Sequence, residues 1–369
     1  MATVTQPDVI RFEALPGRVV FGVGAISELP LEIDRLHARR VLLVDGLVDG
    51  TVAEHAQRGL GARHAQTISV LRQHVPAELA TEVEQAAHRA GVDCLLSIGG
   101  GSALGVAKAV ARTTGLPIVA VPTTYAGSEM TPIWGLTANG AKTTGRDLAV
   151  LPRTVIYDPE LTLTFPPAAS GASGMNAVAH CVEALWTDAR NPVTDAIATE
   201  AIGLLAMGLR GSVADPGDLE SRSQALRGAW LGGAALAQGG TGLHHKICHV
   251  LGGRFDLPHA DVHAAVLPWV VDHFRAAAPD ALTRVAQTLH ADDAVAGLQR
   301  LAADLGVNRG LRDLGLDDAG ADEAADAIVA VAPAVPGPVT RQAVRAILER
   351  AMDTVPADTA QRNKGAEHG

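Results

Sequence analysis

The segment CLLSIGGGSALGVAKAV, Cys94–Val110, decides the fold of this chain. It starts with a short apolar run, which is typical of a strand buried on both faces of a sheet. A glycine-rich turn follows, and then apolar residues recur at the spacing of a helix. A buried strand, a glycine turn and a helix in this order predict one unit of a parallel α/β sheet.

The same alternation of strands and helices extends on both sides of this unit. Strands are predicted at Arg18–Phe21, Val41–Asp45, Gln66–Val70, Cys94–Ile98, Ile118–Val121 and Thr154–Tyr157. Helices are predicted between them at Val48–Leu60, Pro76–Ala90 and Ser102–Thr113. This alternation indicates a doubly wound parallel sheet, with the glycine-flanked first strand at an edge or in a hairpin.

Beyond Asp158 the strand pattern stops, and the remaining periodic segments are helical. Helices are predicted at Ala177–Trp186, Pro192–Met207, Asp218–Gln238, Leu243–Leu251, Asp261–Ala276, Pro279–Leu289, Ala294–Leu305, Asp322–Val331 and Thr340–Met352. The sequence therefore predicts an α/β N-terminal domain with a doubly wound parallel sheet, followed by an all-α C-terminal domain. The expected bounds are 1–160 for the dinucleotide-binding domain, 161–352 for the helical domain and 353–369 for a flexible polar tail.

Composition narrows the functional classes. The net charge of -10 and the pI near 5.7 argue against nucleic acid as a partner, since nucleic-acid binding needs a basic face. The three cysteines include no CxxC pair, which favours a reducing compartment over a disulfide framework. With no apolar signal core at the N-terminus and no run of about 18 apolar residues, we expect a cytoplasmic protein without a membrane span.

Two polar, glycine-containing loops follow buried strands and predict a dinucleotide crevice. Backbone amides in such loops, together with a helix N-terminus, can bind phosphate. The candidate cofactor-binding residues are Asp45, Gly99, Gly100, Gly101, Ser102, Thr123, Thr124, Gly127 and Ser128. A carboxylate at Asp45 can accept from a ribose 2′-hydroxyl, which favours NADH without excluding NADPH. A tight turn at the glycines and a turn-capping role for Asp45 are the alternatives.

Histidines are concentrated between residues 171 and 263. Six of the 14 lie there: His180, His244, His245, His249, His259 and His263. His180 stands four residues after Asn176, and His249 stands four after His245, so each pair shares one face of a helix. Because imidazole suits both metal ligation and proton transfer, the pattern leaves both roles open.

Four long motifs carry a resemblance to a known family. They are GGGSALGVAKAVA (99–111), PTTYAGSEMTPIWG (122–135), SGMNAVAHCVEAL (173–185) and HHKICHVLGGRFDLPHADVH (244–263). Together they resemble the iron-containing alcohol dehydrogenase family, and most of all its maleylacetate reductase branch. The resemblance implies a dehydroquinate synthase-like architecture, a homodimer, and NAD(P)H-dependent reduction of maleylacetate to 3-oxoadipate in bacterial degradation of aromatic compounds.

The resemblance also implies roles for individual residues. Alcohol dehydrogenases of the family hold a divalent metal with one Asp and three His. These positions fall on Asn176, His180, His245 and His259 here, and His249 matches a further active-site histidine. A neutral Asn carbonyl is a poorer ligand for a hard divalent cation than a carboxylate. Because the maleylacetate reductase branch is also regarded as metal-independent, we expect that no metal is required.

Reduction of a C=C bond conjugated to a ketone gives chemical roles to these side chains. Hydride addition β to the ketone generates an enolate, which imidazoles can stabilise and protonate. His245 and His249 are the leading pair, and His180, His259 and Asn176 complete the expected catalytic set. Donors for the small dicarboxylate substrate are expected at Lys246, Tyr125, Arg146 and Arg153.

Three other functions fit parts of the pattern. A metal-dependent alcohol or polyol dehydrogenase would use the histidines as ligands. A lyase that resembles dehydroquinate synthase would need a metal and a basic phosphate pocket. A nucleotide-binding protein without chemistry would leave the histidine cluster unexplained. Among neighbouring residues, His263, Cys181, Cys248, Glu129 and Glu183 are interpreted as packing or structural residues, and His244 stays undecided.

Overall fold

The computed structural model describes residues 12–15, 17–70, 76–138, 141–333 and 335–354. Its strands are β1 (Arg18–Phe21), β2 (Val41–Asp45), β3 (His64–Ser69), β4 (Cys94–Gly99), β5 (Ile118–Pro122), β6 (Ile133–Ala138), β7 (Ala141–Arg146) and β8 (Thr154–Tyr157). Six of them form one parallel sheet in the order β1-β8-β5-β4-β2-β3. The predicted parallel sheet is confirmed, and β1 lies at its edge.

Helices cover both faces of this sheet. The first four are α1 (Leu29–Arg35), α2 (Thr51–Leu60), α3 (Ala77–Arg89) and α4 (Gly101–Thr114). Along β2 the side chains alternate: Val41 and Leu43 pack with α1 and α2, whereas Leu42 and Val44 pack with α3 and α4. This alternation follows from the two-residue period of a strand, and it explains why β2 is apolar throughout.

The antiparallel hairpin of β6 and β7 was not predicted. Its segment mixes glycine, threonine and asparagine and carries no continuous apolar run. Its β6 strand packs against α3 and α4, so tertiary contact stabilises what local propensity does not. The base of the hairpin pairs Ile133 with Arg146, close to the second predicted cofactor loop.

The C-terminal half is helical, as predicted. Its helices are α5 (Pro167–Ala184), α6 (Pro192–Ala214), α7 (Leu219–Gly239), α8 (Leu243–Phe255), α9 (His259–His273), α10 (Pro279–Thr288), α11 (Ala294–Asp304), α12 (Asp318–Ala330) and α13 (Arg341–Ala351). The architecture changes between the end of β8 and the start of α5. Helix α5 begins well before the predicted Ala177, because its first turns are rich in alanine, glycine and serine that give no apolar periodicity.

Helix α6 and the C-terminal tail concern the two remaining predictions, the absence of a membrane span and a flexible tail. Among the described residues, α6 has the length and apolar composition of a membrane span. It packs along α5 and α7 inside the helical half, which is the usual situation of a core helix. The predicted flexible tail falls mainly on residues 355–369, which lie outside the described residues.

Candidate active site

The carboxyl ends of the parallel strands bring the two predicted cofactor loops together. In register, Asp45 lies opposite Ile98, and Gly99 lies opposite Pro122. The amide of Thr123 donates to the carbonyl of Gly99 at 3.1 Å, which ties the second loop to the first. A small pocket opens at this edge, lined by Ser97, Gly99, Gly100, Leu104, Ala120, Val121, Pro122, Thr124 and Glu129. Ligands of open α/β sheets bind at this edge.

The first loop needs glycine for steric reasons. Gly99 has φ of 128°, and a Cβ there would lie 3.1 Å from the Cα of Gly46. Helix α4 begins directly afterwards at Gly101 and has no side-chain cap at its N-terminus. Its first amides are therefore available to a phosphate, which supports the predicted roles of Gly100, Gly101 and Ser102.

Asp45 has the turn contact that the sequence left open. Its side chain is only 4% exposed, and its Oδ1 accepts a hydrogen bond from the amide of Leu47 at 3.1 Å. Burial raises the pKa of this carboxyl. The contact with a cofactor ribose stays a prediction, for which Asp45 lies at the correct edge of the sheet.

A buried lysine that the sequence analysis missed holds the second loop in place. The Nζ of Lys108, on α4, donates to the carbonyls of Ser128 at 2.7 Å, Thr131 at 2.7 Å and Ile133 at 2.8 Å. Burial lowers the pKa of Lys108 to about 7. Three carbonyl acceptors nevertheless require three N–H donors, so the geometry is that of the ammonium form. The signal in the sequence was a lysine on the otherwise apolar face of α4.

Glu129 completes the buried polar group beneath this loop. It is 2% exposed and accepts a hydrogen bond from the hydroxyl of Tyr157 at 2.7 Å. Burial raises the pKa of the Glu129 carboxyl, while Tyr157 and Lys108 oppose that shift. The interpretation of Glu129 as structural agrees with these contacts, although the residue also lines the pocket.

The second loop also touches the histidine cluster. Gly127 has φ of 72°, and a Cβ there would lie 3.4 Å from Nδ1 of His180 and 3.1 Å from the Cα of Gly233. The loop can therefore approach α5 and α7 only without a side chain at this position. A cofactor bound against this loop would share one cleft with the histidines.

The predicted histidines come together from three helices. Asn176 and His180 lie on α5, His245 and His249 on α8, and His259 at the start of α9. The rings of His180 and His245 stack with centroids 4.8 Å apart, and those of His249 and His259 with centroids 5.9 Å apart. The ring centroids of His245 and His249 are 6.3 Å apart. The packing of α5, α8 and α9 thus brings all four imidazoles into one cluster.

Glu183 orients His245 and caps α8. This fully buried carboxylate accepts from the amides of Gly242 at 2.9 Å and His244 at 2.7 Å, and it contacts Nδ1 of His245 at 2.5 Å. Because a carboxylate only accepts, Nδ1 of His245 must carry the proton, which leaves Nε2 for a ligand. Glu183 was interpreted as merely structural, although its place three residues after His180 puts it beside the cluster.

Four buried atoms of Asn176 and the clustered histidines lack a hydrogen-bond partner among the described residues. They are Oδ1 of Asn176, Nδ1 of His180, Nδ1 of His244 and Nε2 of His245. Burial, together with the neighbouring imidazoles, holds the pKa of His180 well below its usual range, so this ring is neutral. Unpartnered polar atoms are costly in an interior, so their concentration here marks a place for a polar ligand.

His263 and His244 extend the cluster inward. Nε2 of His244 lies 2.9 Å from Nδ1 of His263, whose Nε2 lies 3.2 Å from Nε2 of His259. Both inner rings are fully buried, and burial holds the pKa of each well below its usual range. The interpretation of His263 as a packed residue agrees with its burial but missed its contact with His259.

The predicted substrate donors differ in position. Lys246 is half-buried on α8, next to His245 in the chain. Arg146 is exposed at the base of the hairpin and donates to the carbonyl of Ala237, near the end of α7. Arg153 directly precedes β8, so it lies at the amino ends of the strands, opposite the cofactor edge. The prediction for Arg153 is therefore wrong.

Tyr125 contacts a buried arginine. It is fully buried, and its hydroxyl accepts from Nη1 of Arg222 at 3.3 Å. Arg222 itself is fully buried on α7 and also donates to Ser170 and to the carbonyl of Phe165. Tyr125 thus belongs to a polar junction between the two halves, and its role as a substrate donor stays a prediction.

Comparison with known proteins places the chain. The model of the iron-containing alcohol dehydrogenase family matches residues 16–159, and the model of its C-terminal domain matches residues 170–352. The chain belongs to the iron-containing alcohol dehydrogenase family. It is an oxidoreductase, and the predicted fold class and resemblance are confirmed.

Several relatives in this family are maleylacetate reductases. The enzyme of Burkholderia cepacia is 46% identical over 344 residues, which is 93% of this chain and 98% of that protein. The enzyme of Sphingobium indicum is 41% identical over 95% of this chain and 99% of that protein. The structure of maleylacetate reductase from Agrobacterium tumefaciens has a TM-score of 0.90 at 40% identity, covering 94% of this chain and 99% of that one.

Asn176 weakens the fit of the residues present to the iron that the family name implies. The position expected to supply a carboxylate holds Asn176, whose amide oxygen carries no charge. Among the described residues, the group of His, Cys or acidic side chains whose ligand atoms all lie within 4.8 Å is His244, Cys248 and His263. With an uncharged amide in place of a carboxylate, Asn176, His180, His245 and His259 are a weaker donor set for a hard divalent cation.

Proposed function

We propose that this chain catalyses the NAD(P)H-dependent reduction of the C=C bond of maleylacetate to 3-oxoadipate, in bacterial degradation of aromatic compounds. The observation that carries the proposal is the buried histidine cluster, in which Asn176 stands where a carboxylate is expected and four polar atoms have no partner among the described residues. The similarity to maleylacetate reductases over 93% of the chain supports it.

The cofactor edge of the sheet would hold NADH. The glycine turn before α4 accommodates the phosphates, and Asp45 would accept from the ribose and repel a 2′-phosphate. When bound, the cofactor supplies a hydride. Contact between Gly127 and His180 places the histidine cluster next to the loop that would hold the reactive end of the cofactor.

The protein side of the reaction is charge stabilisation and proton delivery. Hydride addition to the carbon β to the ketone moves an electron pair onto the ketone oxygen. We assign stabilisation of this oxygen to His245, because Glu183 at its Nδ1 fixes the ring and Nε2 has no partner among the described residues. A proton from the cluster, with His249 as the second member of the leading pair, then reaches the α-carbon and is replaced from solvent.

His180, His259 and Asn176 would surround the same oxygen. His180 is neutral, so it contributes a hydrogen bond and not a charge. The amide of Asn176 would orient the substrate or His180. The two carboxylates of the substrate need positive charge, for which Lys246 and Arg146 remain our candidates.

We further propose a cytoplasmic homodimer that prefers NADH, binds no nucleic acid or membrane, and requires no metal. The neutral Asn176 supports the last point, and the negative net charge of -10 supports the absence of nucleic acid. The competing function is a metal-dependent alcohol or polyol dehydrogenase, which the family name favours.

One experiment separates the two functions. NADH oxidation is followed with maleylacetate and with simple ketones and aldehydes, each before and after exhaustive treatment with a chelator. We expect turnover of maleylacetate alone, unchanged by the chelator. Activity confined to ketones or aldehydes would refute the proposed substrate, and loss of maleylacetate turnover on chelation would refute metal independence.

A further inference from the structure

A second group of potential ligands lies behind the proposed active site. We call it the buried thiol cluster: His244 and Cys248 on α8, and His263 on α9. All three side chains are fully buried. Nε2 of His244 lies 2.9 Å from Nδ1 of His263 and 3.6 Å from Sγ of Cys248, and all three ligand atoms lie within 4.8 Å of one another.

The sequence places these atoms together in a simple way. His244 and Cys248 are four residues apart, so they occupy one face of α8. Helix α9 packs against α8 and brings His263 opposite them. Neither histidine is a family metal position, since those positions fall on Asn176, His180, His245 and His259.

We propose that His244, Cys248 and His263 bind a thiophilic metal ion, with Zn²⁺ as the reference ion. A thiolate and two imidazoles are a donor set that zinc prefers. Zinc lies about 2.3 Å from sulfur and about 2.0–2.1 Å from nitrogen, so ligand atoms in a tetrahedron are roughly 3.3–3.6 Å apart. The ring nitrogens at 2.9 Å need to separate by only a few tenths of an ångström, and the sulfur already lies at a suitable 3.6 Å from Nε2 of His244.

An ion that binds here must displace the proton of the Cys248 thiol. Burial, together with the charge of Glu183, raises the pKa of this thiol well above its usual range, so the proton is firmly held and binding should tighten as pH rises. A divalent ion and one thiolate leave a single positive charge, which the buried carboxylate of Glu183 offsets.

The second hydrogen bond of His263 also suits a ligand. With Nδ1 on the metal, Nε2 must carry the proton and can donate to Nε2 of His259 at 3.2 Å. Ligating histidines are usually oriented in this way by an outer acceptor. Three protein ligands leave one position of a tetrahedron for a water molecule, and an ion held by all three would join α8 to α9.

The test uses the reduced, chelator-treated full-length protein with Co²⁺ and then Zn²⁺. We expect one tight ion per chain, thiolate-to-cobalt charge-transfer absorption, and a rise in Tm with Zn²⁺. Cys248→Ala should abolish the absorption and weaken binding by at least about 100-fold, since loss of an outer hydrogen bond alone costs about 10- to 100-fold. Cys94→Ala removes an equally buried cysteine in β4 and should change neither readout.

Two further variants, His263→Asn and Asn176→Asp, also test whether the metal ion binds at the buried thiol cluster. If Cys248→Ala does not fold, His263→Asn retains the thiol and should weaken Co²⁺ binding by more than about tenfold. Asn176→Asp should add binding at the family position without any new thiolate absorption. Co²⁺ binding to the wild-type protein that lacks this absorption, or that is no tighter than binding to either variant, would overturn the proposal. Either result leaves the proposed reductase reaction untouched.

Discussion

Replacing Glu183 with Gln tests the role assigned to His245. Glu183 is fully buried and accepts three hydrogen bonds, from the amides of Gly242 and His244 and from Nδ1 of His245. Gln has a single acceptor oxygen and no charge, so at least one buried donor loses its partner. Hydrogen bonds to charged groups contribute about 1.5–3 kcal/mol, so the free energy of unfolding should fall by about 2–3 kcal/mol.

The effect on turnover should exceed the effect on stability. Without the carboxylate, the ring of His245 is no longer fixed by a hydrogen bond at Nδ1, so Nε2 is no longer held in place for the substrate. Loss of one oxyanion donor typically costs about 10²–10³ in kcat, and we expect a loss of that size. The KM for NADH should stay unchanged, because Glu183 lies on α5 and contacts the start of α8, whereas the glycine turn precedes α4. Turnover is measured by NADH oxidation with maleylacetate.

Glu32→Gln is the matched control. Glu32 is also a buried carboxylate at 1% exposure, and it accepts from Nε of Arg18 at 2.9 Å and from Thr154 at 3.3 Å. It lies at the amino ends of β1 and β8, so its loss should lower stability without lowering kcat. If Glu183→Gln kept kcat within about threefold of wild type while unfolding like Glu32→Gln, the assignment to His245 would fail.

Three further predictions follow from particular residues. Burial lowers the pKa of His180, His244 and His263, so the unfolded chain binds more protons than the folded one below about pH 6.5. As the pH decreases below this value, the free energy of unfolding should fall by up to about 1.4 kcal/mol per pH unit for each ring. Urea titrations at several pH values should show a shallower fall for His263→Asn than for wild type. Asn176→Asp supplies the missing carboxylate and should tighten divalent metal binding measured by calorimetry; an unchanged affinity would contradict our account of Asn176. Asp45→Ala should raise the KM for NADH and lower the KM for NADPH. Equal effects on both values would contradict the ribose contact and leave Asp45 with only its structural hydrogen bond from Leu47.

Much of the active site could be inferred from spacing alone. Asn176 and His180, like His245 and His249, share a helix face because they are four residues apart, and the structure brings both pairs into one cluster. The contributions of Glu183 and Lys108 could not be inferred in this way. Each contacts atoms from other elements, and a lone buried charge in a helix pattern does not reveal its partners.

Two of the predicted substrate donors show different limits of the sequence. Arg153 and Arg146 look alike in the sequence, but strand direction puts Arg153 at the amino edge of the sheet. Because Thr154–Tyr157 was predicted as a strand of a parallel sheet, this position could have been inferred from the sequence. Tyr125 lies within the second cofactor loop, and its contact with Arg222 from α7 is distant in sequence, so no local pattern contains it.

The sequence by itself determined the parallel sheet, the helical half and the family, because apolar periodicity and the long motifs are local properties of the chain. Only the tertiary structure decided which buried groups meet. The contact of Glu183 with His245, and that of His244 with Cys248 and His263, depend on how α5, α8 and α9 pack. Helix packing brings side chains together across long sequence separations, and it thereby sets the tautomer of His245 and the ligands of the buried thiol cluster.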